Sequence, residues 1–155
     1  MIAPLMEIGE FLRRVKVQLR FGKLSRAPLR LLRFELCGDV VECEWVARPA
    51  DQWDAILKPG VGERHASEQA LLDAVAVRNL LFSTLPGVKT SVFRVYRQFK
   101  GEPPQLIIAG TASRGDQAPP GVRSLVMRAK LAGFRFGMHD GVLAALRSGE
   151  QATNY

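Results

Sequence analysis

The residues best suited to hold an anion crowd into one stretch of this chain. Arg13, Arg14, Lys16, Arg20, Lys23, Arg26, Arg30 and Arg33 follow one another with no acid between them. Guanidinium and ammonium groups at that density can bind a polyanion by displacing its counterions. Inside the stretch, Gly22-Lys23-Leu24-Ser25 offers backbone amides, a lysine and a hydroxyl, the donors an anion-binding loop uses. It lacks the upstream glycine and the strand–loop–helix setting of a phosphate loop. The candidate anion-binding set is therefore Arg13, Arg14, Lys16, Arg20, Lys23, Ser25 and Arg26, with a phosphate-bearing ligand or nucleic acid as its partner. Arg33 is expected to pair internally with Glu42 or Glu44.

A second place for chemistry is the run Gly110-Thr111-Ala112-Ser113-Arg114-Gly115. Small residues at a strand end leave room for a ligand, and Arg94, Tyr96, Arg97 and Arg114 could line the pocket of a small enzyme. No catalytic motif supports that reading. There is no Gly-x-Ser-x-Gly elbow. His139 and Asp140 are adjacent in sequence, whereas an orienting carboxylate reaches a catalytic imidazole from elsewhere in space. His65, His139, Cys37 and Cys43 have no zinc-ligand spacing, so neither a metal nor a cofactor is expected. A disulfide between Cys37 and Cys43 stays open. RNA recognition by a stacked central strand is disfavoured, because Gln105–Ala112 carries no aromatic residue.

The charge is laid out in blocks. Residues 1–36 hold eight bases and three acids, residues 37–73 three bases and eight acids, and residues 74–155 eleven bases and four acids. Such blocks speak to partners rather than to fold. The N-terminus has no cationic start and no continuous apolar core, unlike a secretory signal. Leu5, Ile8, Phe11 and Leu12 beside Arg13 and Arg14 form a short basic amphipathic stretch, but Glu7 and Glu10 weaken any pull toward anionic lipid. No apolar run reaches the ~20 residues that span a bilayer, and a cytoplasmic setting is expected.

These residues must be positioned by elements that the hydrophobic pattern marks. A chain of 155 residues with 47% apolar and 24% charged residues suits one globular domain. We expect that domain over 1–148 and a flexible tail over 149–155. A helix over 4–13 runs into a strand over 14–21. Alternation of Leu32, Phe34 and Leu36, then Val41, Cys43 and Trp45, around Gly38-Asp39 predicts a β-hairpin. A short helix follows from Pro49 to Leu57, and residues 65–84 form the best helix. Strands are expected over 88–99 and 105–112, a helix over 122–132, a short strand over 134–138 and a last helical turn over 142–147.

The fold class is α+β: an antiparallel sheet with helices on one face, possibly ferredoxin-like (βαββαβ), behind an N-terminal helix and strand. The hairpin's apolar face together with Phe93, Val95 and Phe99 exceeds what the 65–84 and 122–132 helices would cover. A homodimer would cover the surplus, with the basic block of one copy facing the acidic block of the other. The first functional expectation is accordingly a non-catalytic, self-associating binding or scaffolding domain, followed by the anion-binding module and the small enzyme.

Overall fold

The computed structural model describes residues 2–116 and 119–146; the expected tail lies outside the described residues. The chain is α+β, and its first element is one helix, α1, over Ile2–Gln18. The strand expected over 14–21 is absent. Phe11 and Val15 are fully buried one turn apart, with Ile8 and Leu19 packed beside them, whereas Val17 and Phe21 are 63% and 66% exposed. The helical spacing therefore wins over the alternating one, because α2 supplies an apolar surface along that stripe.

The hairpin forms as the alternation requires. Strands β1 (Arg30–Cys37) and β2 (Val40–Val46) pair antiparallel about a turn in which Gly38 has φ +64°. Cys37 opposes Val40 and Cys43 opposes Phe34. The two thiols are free, and burial pushes the Cys43 thiol up to about 12. A short 3-10 helix over Gln52–Ile56 is capped by Asp51, whose carboxylate accepts the Trp53 amide at 3.2 Å. After Gly60, at φ +87°, helix α2 runs over Val61–Thr84, four residues longer at its start than the apolar stripe suggests.

Strand β3 (Thr90–Arg97) then pairs in parallel with β2, placing Phe93 beside Cys43. Strand β4 (Gln105–Ser113) returns antiparallel to β3. Helix α3 is only Leu125–Leu131, started by Ser124, whose hydroxyl accepts the Met127 amide at 3.2 Å. Strand β5 (Phe134–Arg135) closes a sheet of order β1-β2-β3-β4-β5. A Cβ on Gly110 would run into the Gly133 carbonyl, so glycine lets β4 and β5 meet.

The sheet is thus mixed rather than antiparallel. In a split βαβ unit another strand lies between the two parallel ones; here β2 and β3 bond directly, with α2 as their crossover, and the ferredoxin-like arrangement is not confirmed. The expected 134–138 strand breaks at Phe136, and the expected final helical turn is a strand. Strands β6 (Gly137–His139) and β7 (Val142–Ala144) form a second hairpin. Asp140 and Gly141 at its turn have φ of 53° and 80°. Two consecutive left-handed residues match a tight hairpin turn, which overrides the weak helical preference of Val142-Leu143-Ala144.

One face of the sheet carries the core. Val41, Cys43, Trp45, Phe93, Val95 and Ile108 are buried against Phe11 and Val15 of α1 and Leu71 and Leu81 of α2. Trp45 meets Phe93 edge-on at 6.0 Å, and Phe93 meets Phe134 at 5.3 Å. Helix α1 sets Phe11 against Phe34 of the hairpin, ring centres 5.0 Å apart, while Leu32 and Phe99 stay 51% and 47% exposed. The opposite face alternates Glu42, Glu44, Val92, Arg94 and Tyr96, all half-buried. Among the described residues, no helix is long and apolar enough to cross a membrane.

Candidate anion-binding cleft

The basic N-terminal stretch does not come together as one site. Arg13 and Arg14 both donate to Glu10, at 2.7 and 2.8 Å, three and four residues back on the same helix. The pair holds the Glu10 carboxyl down at about 2. Lys16, Arg20 and Lys23 are exposed, and Arg20 lies over the Phe21 ring at 5.3 Å. Arg26 reaches Asp51 at 3.9 Å. Arg33 pairs with Glu35, Glu42 and Glu44 on the sheet's outer face, as its place in the hairpin implied.

Ser25 borders a hollow of about 330 Å³ with Lys23 and Arg26, and its hydroxyl is already engaged. It is buried, and its hydroxyl donates to the Pro49 carbonyl at 2.8 Å. Around it the loop is pinned to α2: the Leu24 amide donates to Gln69 Oε1 at 2.6 Å, and Gln69 Nε2 donates to Asp73 at 2.9 Å. Arg48 completes the network. It donates through two nitrogens to Asp73, at 2.8 and 3.0 Å, and through a third to the Ala27 carbonyl at 3.1 Å. Burial raises the Asp73 carboxyl against the pull of Arg48 and Gln69. A pair this deep is costly to break from one side, about 3–5 kcal/mol. The loop that looked like an anion cradle is a structural strap.

Arg94, Tyr96, Arg97 and Arg114 do not share a pocket either. Arg94 and Tyr96 lie on the outer sheet face, where Arg94 pairs with Glu44 at 3.1 Å. Burial, with the Glu44 carboxylate beside it, pushes the Tyr96 phenol up. Arg97 borders a mainly apolar hollow of about 270 Å³ with Arg48 and Phe99. It donates to the Leu143 carbonyl at 2.7 Å and to Gln105 at 3.0 Å.

Arg114 lies elsewhere, in a cleft of about 450 Å³ between α2, α3 and the end of β4. Arg78 and Arg128 line the same cleft, with Val75, Asn79, Phe82, Ser83 and Ala132. Arg114 closes the C-terminus of α2. Its three guanidinium nitrogens donate to the carbonyls of Phe82 at 2.7 Å, Leu85 at 2.6 Å and Val88 at 2.9 Å. The Phe82 carbonyl, in the last turn of α2, is among those a helix end leaves unpaired. Arg78, only 2% exposed, donates to Asn79 Oδ1 at 3.0 Å and to the Ser113 carbonyl at 3.1 Å, and also to the Asp116 carbonyl. Both guanidiniums lie 5.1 Å from the centre of the Phe82 ring.

Two features mark this cleft, and Arg97, beside the apolar hollow, shares the second, a buried Nε–H without a partner. First, the guanidiniums of Arg78 and Arg114 are met by carbonyl dipoles and the Phe82 ring face, which satisfy N–H groups but leave the formal charges standing. Among the described residues, none of the three arginines forms an ion pair with a carboxylate side chain. Second, the Nε–H groups of Arg78 and Arg128 are buried with no hydrogen-bond partner. A buried donor left open costs about 1–3 kcal/mol. Burial accordingly lowers Arg78 from its ordinary value, with Asp116 opposing the shift.

Arg78 and Arg128 were missed in the sequence because each lies inside a helix, 36 and 14 residues from Arg114 along the chain. Only Arg114, at the end of a run of small residues, was marked. Also unmarked was the approach of Asp54 to His65, both carboxylate oxygens lying 3.3 Å from Nδ1. Comparison with family models, curated proteins and solved structures finds no match to the chain.

Proposed function

We propose that this chain is an anion-binding domain whose site is the cleft lined by Arg78, Arg114 and Arg128. The observation that carries this reading is the convergence of three guanidiniums on one cleft, none of them ion-paired to a carboxylate among the described residues. Like charges gathered in a partly dry cavity repel one another more strongly than on a surface, because the effective dielectric is lower. An anion entering the cleft relieves that repulsion. The anion-binding function anticipated for the Arg13–Arg26 segment is thereby transferred to other residues.

Isothermal titration with inorganic phosphate at low ionic strength tests the proposal. Wild-type protein should bind, and Arg128→Gln, which keeps most of the side-chain volume, should bind at least about tenfold more weakly, the loss of one charge-assisted contact of roughly 1.5–3 kcal/mol. Equal binding by the two proteins, or none by the wild type at millimolar phosphate, would overturn it.

A further inference from the structure

Resting on that reading, we propose that the cleft takes a phosphomonoester, its dianionic phosphate between Arg78 and Arg128 and its hydroxylated organic body along Val75 and Ala132 toward Asn79 and Ser83. Charge, space and the rim chemistry each bear on this choice. The charged groups facing the cleft are Arg78 from α2, Arg128 from α3, and Arg114 and Asp116 from the segment after β4. Three positive charges against one negative charge leave two uncompensated, the charge a phosphomonoester approaches near neutral pH. A monocarboxylate would leave one charge standing. The guanidiniums meet at a single cleft rather than along a stripe, so they suit one compact dianion and not a polymer backbone.

Space calls for more than a bare oxyanion. A tetrahedral oxyanion fills on the order of 100 Å³, roughly three waters at ~30 Å³ each, against about 450 Å³ in the cleft. The remaining wall is apolar at Val75 and Ala132 and polar at Asn79 and Ser83, both exposed at the rim. Asn79 Oδ1 accepts from Arg78, which leaves its NH2 group to donate outward. A body with a carbon frame and hydroxyl groups matches that combination.

The test compares ribose 5-phosphate, ribose, inorganic phosphate and sulfate by titration at pH 7 and pH 5. Ribose 5-phosphate should bind several-fold tighter than inorganic phosphate, and ribose alone should not bind. With a second pKa near 6, the ester's dianion share falls about tenfold between pH 7 and pH 5, so its affinity should fall by up to about tenfold. Sulfate stays dianionic throughout, and the arginines do not titrate in that range. Its affinity should therefore change little, and any effect of Asp116 would appear in the sulfate arm as well. Identical pH responses of ester and sulfate, or an ester no tighter than inorganic phosphate, would overturn the ligand class while leaving the anion site standing. Failure of all three anions to bind would remove both.

Discussion

The N-terminal basic segment and the arginine cleft teach opposite lessons about charge. The segment has the denser sequence: eight bases between residues 13 and 33 with no acid among them. In space it is dispersed. Arg13 and Arg14 face Glu10, Arg33 faces three glutamates, and Lys16, Arg20 and Lys23 stand in solvent. Exposed pairs of this kind contribute about 0–1 kcal/mol and are screened by salt. The cleft has three arginines spread over fifty residues, yet they line one cavity, and their partners are dipoles. A concentrated field comes from burial and from three guanidiniums outnumbering the Asp116 carboxylate near them, not from spacing along the chain.

The harshest way to break the comparison is to cut the basic loop from its support. Asp73→Ala leaves Arg48 charged and unpaired inside the protein and should cost about 3–5 kcal/mol in denaturant-induced unfolding. A cost below 1 kcal/mol would mean that Arg48 finds water on its own. Next comes Arg114→Met, which removes a donor from the carbonyls of Phe82, Leu85 and Val88 in and just after α2. We expect a loss of about 2–3 kcal/mol, read as a lower unfolding midpoint, together with weaker phosphate binding. Retained binding at wild-type strength would place the anion away from Arg114.

A gentler change sharpens the contrast directly. Replacing Lys16, Arg20 and Lys23 together by Gln removes three charges that are exposed and unpaired among the described residues. Phosphate affinity at ~100 mM salt should change by less than about twofold, since the screening length there is about 10 Å. A drop as large as that of Arg128→Gln would return the site to the N-terminal segment. The smallest effect concerns Glu10. Its folded value, about 2, lies below the ordinary 4.5. The contribution of its contacts with Arg13 and Arg14 is therefore fully present above pH 4.5 and is lost as the pH falls toward 2. Amide exchange in the first turns of α1 should quicken over that window, and Glu10→Gln should abolish the pH dependence. An unchanged pH response in that variant would assign the effect to another carboxylate.

Local pattern carried much of the fold. The β1–β2 hairpin was legible from its alternation and its Gly-Asp turn, and α2, β3 and β4 from their apolar periods and the Pro86-Gly87 and Pro103-Pro104 stops. A helix over 122–132 was legible, but it is shorter than expected, because Ser124 caps it and α3 begins at Leu125. The misreadings came where two periods overlapped or a segment was short. Residues 14–19 satisfy both a helix and a strand until a partner surface chooses between them. Val142-Leu143-Ala144 is too brief for its own preference to outweigh the turn before it.

By itself, then, the sequence determined the elements whose hydrogen bonds and apolar stripes are local, and it determined that Arg33 would face Glu42 and Glu44, because hairpin register follows from the turn. Tertiary structure alone decided the rest. The parallel pairing of β2 with β3 joins residues about fifty apart, and nothing in either strand's alternation names its neighbour. The fate of each charge was decided in the same way. Whether a guanidinium meets a carboxylate, a carbonyl or water depends on what packing brings beside it. For Arg78, Arg114 and Arg128 that was settled only when α2, α3 and the end of β4 closed around one cleft.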